Sequence, residues 1–169
     1  MKRSALLSFL LVLTLAVFLP LAGADRSGPT RPAERARRDP GATAPPINLS
    51  HVFEGEINRK GRPVGFHARP GGRNPRNARV ERVLEGPNRL GVYVAAVEIR
   101  GHHGDWLDKR STFYPDRMSR QQVIAAILNA WRRRTTGGAE KFRGPSGLGF
   151  TIEGWYQNGR INTAYPIFQ

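Results

Sequence analysis

Apolar and polar positions fall into a few short runs along this chain, punctuated by glycine and proline. Residues 91–100, GVYVAAVEIR, are β-branched and alternating, which predicts a strand. Residues 110–114, RSTFY, predict a second, shorter strand closed by Pro115. In residues 119–134 the period changes: Val123, Ile124, Ile127, Leu128 and Trp131 recur at helical spacing and form one apolar face. Ser119 can cap that helix with Gln122 reciprocating, and Arg132, Arg133 and Arg134 complement its negative end. Residues 135–149 read as a Gly-rich loop. Residues 150–156 and 160–167 then predict a β-hairpin turning at Asn158-Gly159, the strongest short hairpin signal. Earlier runs are weaker: residues 64–67 predict a short strand, and 77–84 a helix, from Val80, Val83 and Leu84. The expected class is α+β, with an N-terminal helix-containing part packed on an antiparallel sheet that ends in a C-terminal β-hairpin.

The first 46 residues follow another logic. Lys2 and Arg3, the apolar run of residues 5–19 and Ala22-Gly23-Ala24 have the three parts of a secretory signal over residues 1–24. Residues 25–46 are rich in Pro, Arg, Gly and Ala and hold no bulky aliphatic or aromatic residue, which predicts a disordered linker. The folded domain is expected over residues 47–169, outside the cytoplasm, secreted or periplasmic. There is no cysteine, so stability rests on an ordinary core and thiolate chemistry is excluded.

Charge narrows the partners. The chain carries 27 Lys+Arg against 13 Asp+Glu, a net +14; signal and linker account for +2 each, leaving +10 on the domain. That surplus exceeds the magnitude of about 2–8 that solubility asks of a small domain. A polyanion is the natural partner, whether nucleic acid, anionic lipid or envelope polymer. Charge alone is equally satisfied by a non-catalytic exported cationic module binding nucleic acid or envelope polymers.

Candidate chemistry lies in the histidines. His51 and His67 stand sixteen positions apart, flanking a turn at residues 58–61, among basic residues. Two imidazoles in cationic surroundings can cleave RNA without a metal: one takes the 2′-hydroxyl proton, the other protonates the leaving oxygen. Which ring does which stays open. His102 and His103 are adjacent between glycines, and a solvated turn accounts for them better than a metal site does. Thr163 and Tyr165 share one face of the last predicted strand, where a hydroxyl beside a phenol suits a base edge and its ribose. A structural cross-strand role is the alternative for that pair.

The order and spacing of four segments then carry a resemblance: residues 51–56 (HVFEGE), Gly65-Phe66-His67, residues 111–115 (STFYP) and Thr163-Ala164-Tyr165-Pro166. Over residues 49–169 the chain resembles the bacterial EndoU-type ribonuclease domain of secreted toxins. The resemblance implies an EndoU/barnase-like nuclease fold. It implies His51 and His67 as catalytic acid and base, Thr163 and Tyr165 lining the nucleotide pocket, and Lys109 as the cation on the phosphorane, with Arg110 or Lys141 as substitutes. The implied activity is metal-independent, cofactor-free endonucleolytic cleavage of RNA, tRNA included, to 2′,3′-cyclic phosphate ends. A monomer, delivery into target cells and an acidic immunity protein are further expectations.

Overall fold

The computed structural model describes residues 45–137 and 140–169. The expected signal, and all but the last two residues of the expected linker, lie outside the described residues. No helix among the described residues is long and apolar enough to cross a membrane.

The fold is α+β. A five-residue helix α1 (Leu49–Phe53) leads into a small hairpin, β1 (Glu56–Ile57) and β2 (Pro63–Val64). A 3-10 turn at Pro70–Gly72 precedes β3 (Ala78–Glu85), β4 (Tyr93–Arg100) and β5 (Trp106–Phe113). Helix α2 (Arg120–Arg132) follows, then β6 (Thr136–Gly137), β7 (Lys141–Pro145), β8 (Thr151–Gln157) and β9 (Arg160–Pro166). Three antiparallel sheets result, ordered β1-β2, β3-β4-β5 and β6-β7-β8-β9.

Helix α2 forms and is capped as expected, but its buried face turns from the expected one: Ala126 and Ala130 are buried with Val123 and Ile127, while Ile124, Leu128 and Trp131 are only partly covered. The Ser119 side chain accepts from Gln122 N–H while the Gln122 side chain accepts from Ser119 N–H, a capping box whose loss costs about 1 kcal/mol. Val123, Ala126, Ile127 and Ala130 are buried against the C-terminal sheet. The sheet meets them with Phe142, Ile152, Ile161 and Ala164. Close approach depends on Gly144, where a Cβ would lie 2.1 Å from the Ala130 carbonyl oxygen.

That contact explains one correction. Residues 135–149 are not simply a loop; they contain β6 and β7, the latter with alternating burial. Its two inward positions are Phe142 and Gly144, so half of its hydrophobic signal is a residue without a side chain. Residues 77–84 are also corrected, from helix to strand β3. Its pairing with β4 is interrupted between Val80 and Arg82 and again between Val83 and Glu85. Two bulges break the period of two, and Val80, Val83 and Leu84 fall at spacings that imitate a helix. The strand expected over residues 64–67 stops at Val64, because Gly65 and Phe66 turn left-handed with φ of 79° and 60°.

Residues 93–100 and the hairpin at Asn158-Gly159 form as their alternation predicts. The strand expected over residues 110–114 begins four residues earlier, at Trp106, where Trp106-Leu107-Asp108-Lys109 pairs with the far end of β4. The core has two parts. One joins α1, α2 and the C-terminal sheet; the other is Phe66 with Tyr93, Ala95, Val97, Ile99 and Phe113 on the middle sheet. The seam between the two sheets, at β5 and β9, is where the polar side chains gather.

Candidate active site

Helix α1 presents His51. Asn48 caps the helix by accepting from His51 N–H at 3.3 Å, and its amide reaches Glu56 Oε1 at 3.3 Å. Glu56 in turn holds His51 Nδ1 at 2.8 Å. A carboxylate can only accept at neutral pH, so the His51 Nδ1 carries the hydrogen. Burial lowers the His51 pKa, and the Glu56 hydrogen bond and charge oppose that fall, while Lys109 and Arg160 add to it.

The open carbonyls of α1 then organise the segment carrying His67. Phe66 N–H donates to His51 O at 2.7 Å, and His67 N–H to Val52 O at 2.7 Å. These contacts hold Phe66 in its left-handed conformation, which costs a bulky residue on the order of 1–3 kcal/mol. Gly65 meets the same helix end so closely that a Cβ would lie 2.2 Å from His51 O. His67 is therefore placed by backbone geometry, with 7% of its surface exposed.

Its Nδ1 lies 3.0 Å from both Thr112 O and Ser111 Oγ. A carbonyl accepts, so Nδ1 carries the hydrogen here as well. Ser111 Oγ donates to Phe66 O at 2.7 Å, tying β5 to the left-handed turn. Burial holds His67 well below the ordinary imidazole value, and the charges of Lys109 and His51 push the same way; the Thr112 carbonyl opposes them. The two imidazole centroids are 5.8 Å apart.

Lys109, on β5, donates to Gly65 O at 2.8 Å and to Ser111 Oγ at 3.1 Å. Burial lowers its pKa to about 8. It therefore stays largely cationic at neutral pH while being unusually ready to lose its proton. Arg110 pairs with Glu85, and Lys141 with Glu153 at 3.1 Å.

Strand β9 closes the seam. Tyr165 packs its ring against His67 with centroids 5.2 Å apart, and its hydroxyl donates to Glu153 Oε1 at 2.7 Å. Burial works against the charge of Glu153. Hydrogen bonds from Tyr165, Arg143 and Lys141 outweigh it and keep the carboxylate below its ordinary pKa. Burial and the Glu153 hydrogen bond raise the Tyr165 phenol, so it remains a donor. Thr163 is half-buried two residues before Tyr165 and sits opposite Trp155 in the register. Trp155 continues the row of rings, 6.1 Å from Tyr165, with the Lys141 ammonium 4.9 Å from its ring centroid. A cavity of about 450 Å³ opens beside Tyr165, lined by Ser111, Thr112, Arg143 and Glu153.

The structure thus gathers His51, His67, Lys109 and Tyr165, with Thr163 on the adjoining stretch of β9. His102 and His103 are exposed in the turn between β4 and β5. Among the described residues, no group of three or more His, Asp or Glu side chains could hold a metal ion. Glu56 and Ser111 lie in segments that carry the resemblance but had no role assigned from the sequence, and Glu153 and Trp155 were not singled out. Ser111 had the clearest signal, two positions from Lys109 and so on the same side of one strand.

With this geometry in hand, comparison with known proteins is decisive. A family model described as bacterial EndoU nuclease matches residues 47–168. The chain belongs to the bacterial EndoU nuclease family. A protein of Bacillus cereus named Toxin is 32% identical over 124 residues, covering 72% of this chain and 22% of that relative. The chain therefore matches only about a fifth of that relative's length. No solved structure matches significantly.

Proposed function

We propose that this EndoU nuclease is a secreted, metal-independent endoribonuclease that acts as a bacterial toxin and is delivered into competing cells. The observation that carries the reading is the pair of imidazoles 5.8 Å apart, each tied to the protein through Nδ1. In each ring that leaves Nε2 for chemistry.

The two environments support one division of roles. His67 is held neutral by burial and serves as the general base: its Nε2 takes the proton of the 2′-hydroxyl as the 2′-oxygen bonds to phosphorus. His51, backed by the Glu56 carboxylate, serves as the acid: its Nε2–H protonates the 5′-oxygen as the P–O5′ bond breaks. The products are a 2′,3′-cyclic phosphate and a 5′-hydroxyl. Lys109 has two hydrogens directed at Gly65 O and Ser111 Oγ, and its third is free by count to meet the charged phosphorane. Tyr165 and Thr163 hold the adjoining nucleoside, and Trp155 offers the next base a stacking surface. RNA, tRNA included, is the substrate because DNA lacks the internal nucleophile. An acidic immunity protein would complement the domain's +10 surplus and protect the producing cell.

End-mapping of a mixed RNA digested by the domain in EDTA tests the reading. Cyclic phosphate ends are expected, and His67→Ala should remove them. Binding of RNA without cleavage, or a strict need for divalent metal, would overturn it.

A further inference from the structure

The catalytic seam is not the roomiest concavity of the domain. A groove of about 540 Å³ runs between α2 and residues 146–150, and it shares no lining residue with the cavity beside Tyr165. Gln122, Ala126, Asn129 and Arg132 line its helical wall. At 1.5 Å per residue that stripe is about 15 Å long. Leu148, 52% exposed, stands on the opposite wall, and the buried Met118 and Phe150 form the floor. Arg117 and Arg132 line the same groove, and no Asp or Glu does.

The charge around it is one-sided. Between Asp116 and Glu140 the chain has five arginines and no acidic residue. Arg120 and Arg134 are engaged over aromatic rings, Phe53 at 4.2 Å and Trp131 at 3.9 Å. Arg117 uses one hydrogen on Leu90 O at 2.9 Å. Arg132 is exposed on the groove. An exposed leucine facing a helix, with uncompensated guanidinium groups around it, matches a ligand that is both apolar and anionic.

We propose that this groove docks an acidic, amphipathic segment of a partner protein, with an aliphatic or aromatic side chain between Leu148 and α2 and carboxylates at Arg117 and Arg132. Charge disfavours the other occupants. The chain's own residues 25–46 carry a net +2, and a second copy brings the same positive surplus. RNA would satisfy the arginines but has no use for the exposed Leu148 side chain. A partner seated here leaves the histidines uncovered, so it can hold the protein while the seam stays open. The proposal stands whether or not RNA is the substrate.

The test measures the anisotropy of two fluorescein-labelled peptides on the full chain. One has leucine and phenylalanine interleaved among glutamates; the other is glutamate alone. The mixed peptide should bind at least about tenfold tighter, since burying one such side chain contributes roughly 1.5–3 kcal/mol. Leu148→Ser should abolish that preference, and Arg132→Glu should weaken both peptides at least about tenfold. Both residues are exposed, and an unchanged thermal melt confirms that the variants fold. Nuclease activity of both variants should match the parent. Equal affinity for the two peptides, or an unaffected Leu148→Ser, overturns the proposal. So does displacement of the mixed peptide by an equally charged DNA oligonucleotide whose own binding needs Arg132.

Discussion

The two histidines occupy seats built on opposite principles. His51 stands on a short helix, partly open, with a half-exposed carboxylate at its back. His67 is in a left-handed turn, nearly closed off, with a carbonyl and a serine hydroxyl at its back. A carboxylate supports a positive ring, whereas a carbonyl fixes the tautomer with far less charge. One scaffold therefore keeps two identical side chains at different proton affinities, as the proposed transfer in opposite directions requires.

Several variants can break or sharpen that contrast. The largest effect is expected from His67→Ala or His51→Ala. Each should lower kcat on the order of 10²–10⁴-fold with the circular dichroism spectrum unchanged. Gly65→Ala comes next, because it disturbs both seats at once. A methyl group there meets the His51 carbonyl and is strained at φ 79°. A shift of about 1 Å in the rings would cost roughly a hundredfold in kcat, measured beside the melting temperature. Glu56→Gln should cost less, about tenfold, through His51 alone.

The pH profile sharpens the contrast further. Both rings titrate below the ordinary value of 6.5, and His67 lies well below it. The acid must be protonated and the base free, so kcat/KM should peak below pH 6.5. It should fall on the alkaline side as His51 loses its proton and on the acid side as His67 gains one. Glu56→Gln removes a group that raises the His51 pKa, and the alkaline limb should move to lower pH. A profile that peaks well above neutrality would reverse the assignment. The smallest effect, a few-fold loss in kcat, is expected for Ser111→Ala, since Thr112 O still holds the tautomer. Folding linkage has its own sign. A buried imidazole with a lowered pKa adds stability above the unfolded value, and this is lost as pH falls below about 6.5. His67→Gln should flatten the fall in melting temperature between pH 7 and 5.

Legibility followed the same divide between side-chain and backbone information. Helix α2, strand β4 and the last hairpin are written in periodic apolar residues with caps and an Asn-Gly turn, and they read directly. Of β5 only the second half does, because residues 106–109 (WLDK) do not alternate. Strand β7 does not, because Gly144 is chosen for its missing Cβ. Strand β3 misleads because each bulge shifts the alternation by one residue. In the site, the histidines and the Thr163/Tyr165 pair are visible as residue types at telling positions. The supports of His67 are mostly main chain, namely Thr112 O, Phe66 O and the left-handed turn. Main-chain groups have no letter in a sequence, so Ser111, visible within residues 111–115, had no evident role until those groups were placed beside it. Glu56 was plain to see but had no evident partner until α1 turned His51 toward it.

Strand β3 has one more consequence. It lies at the margin of its sheet with Val83 and Leu84 exposed, which would ordinarily invite a neighbouring polypeptide to extend the ladder. Its two irregular steps keep that rim from running straight for more than a few residues, so an incoming strand loses register almost as soon as it zips. For a protein rich in arginine and without cysteine cross-links, such built-in unevenness works against fibrous self-association.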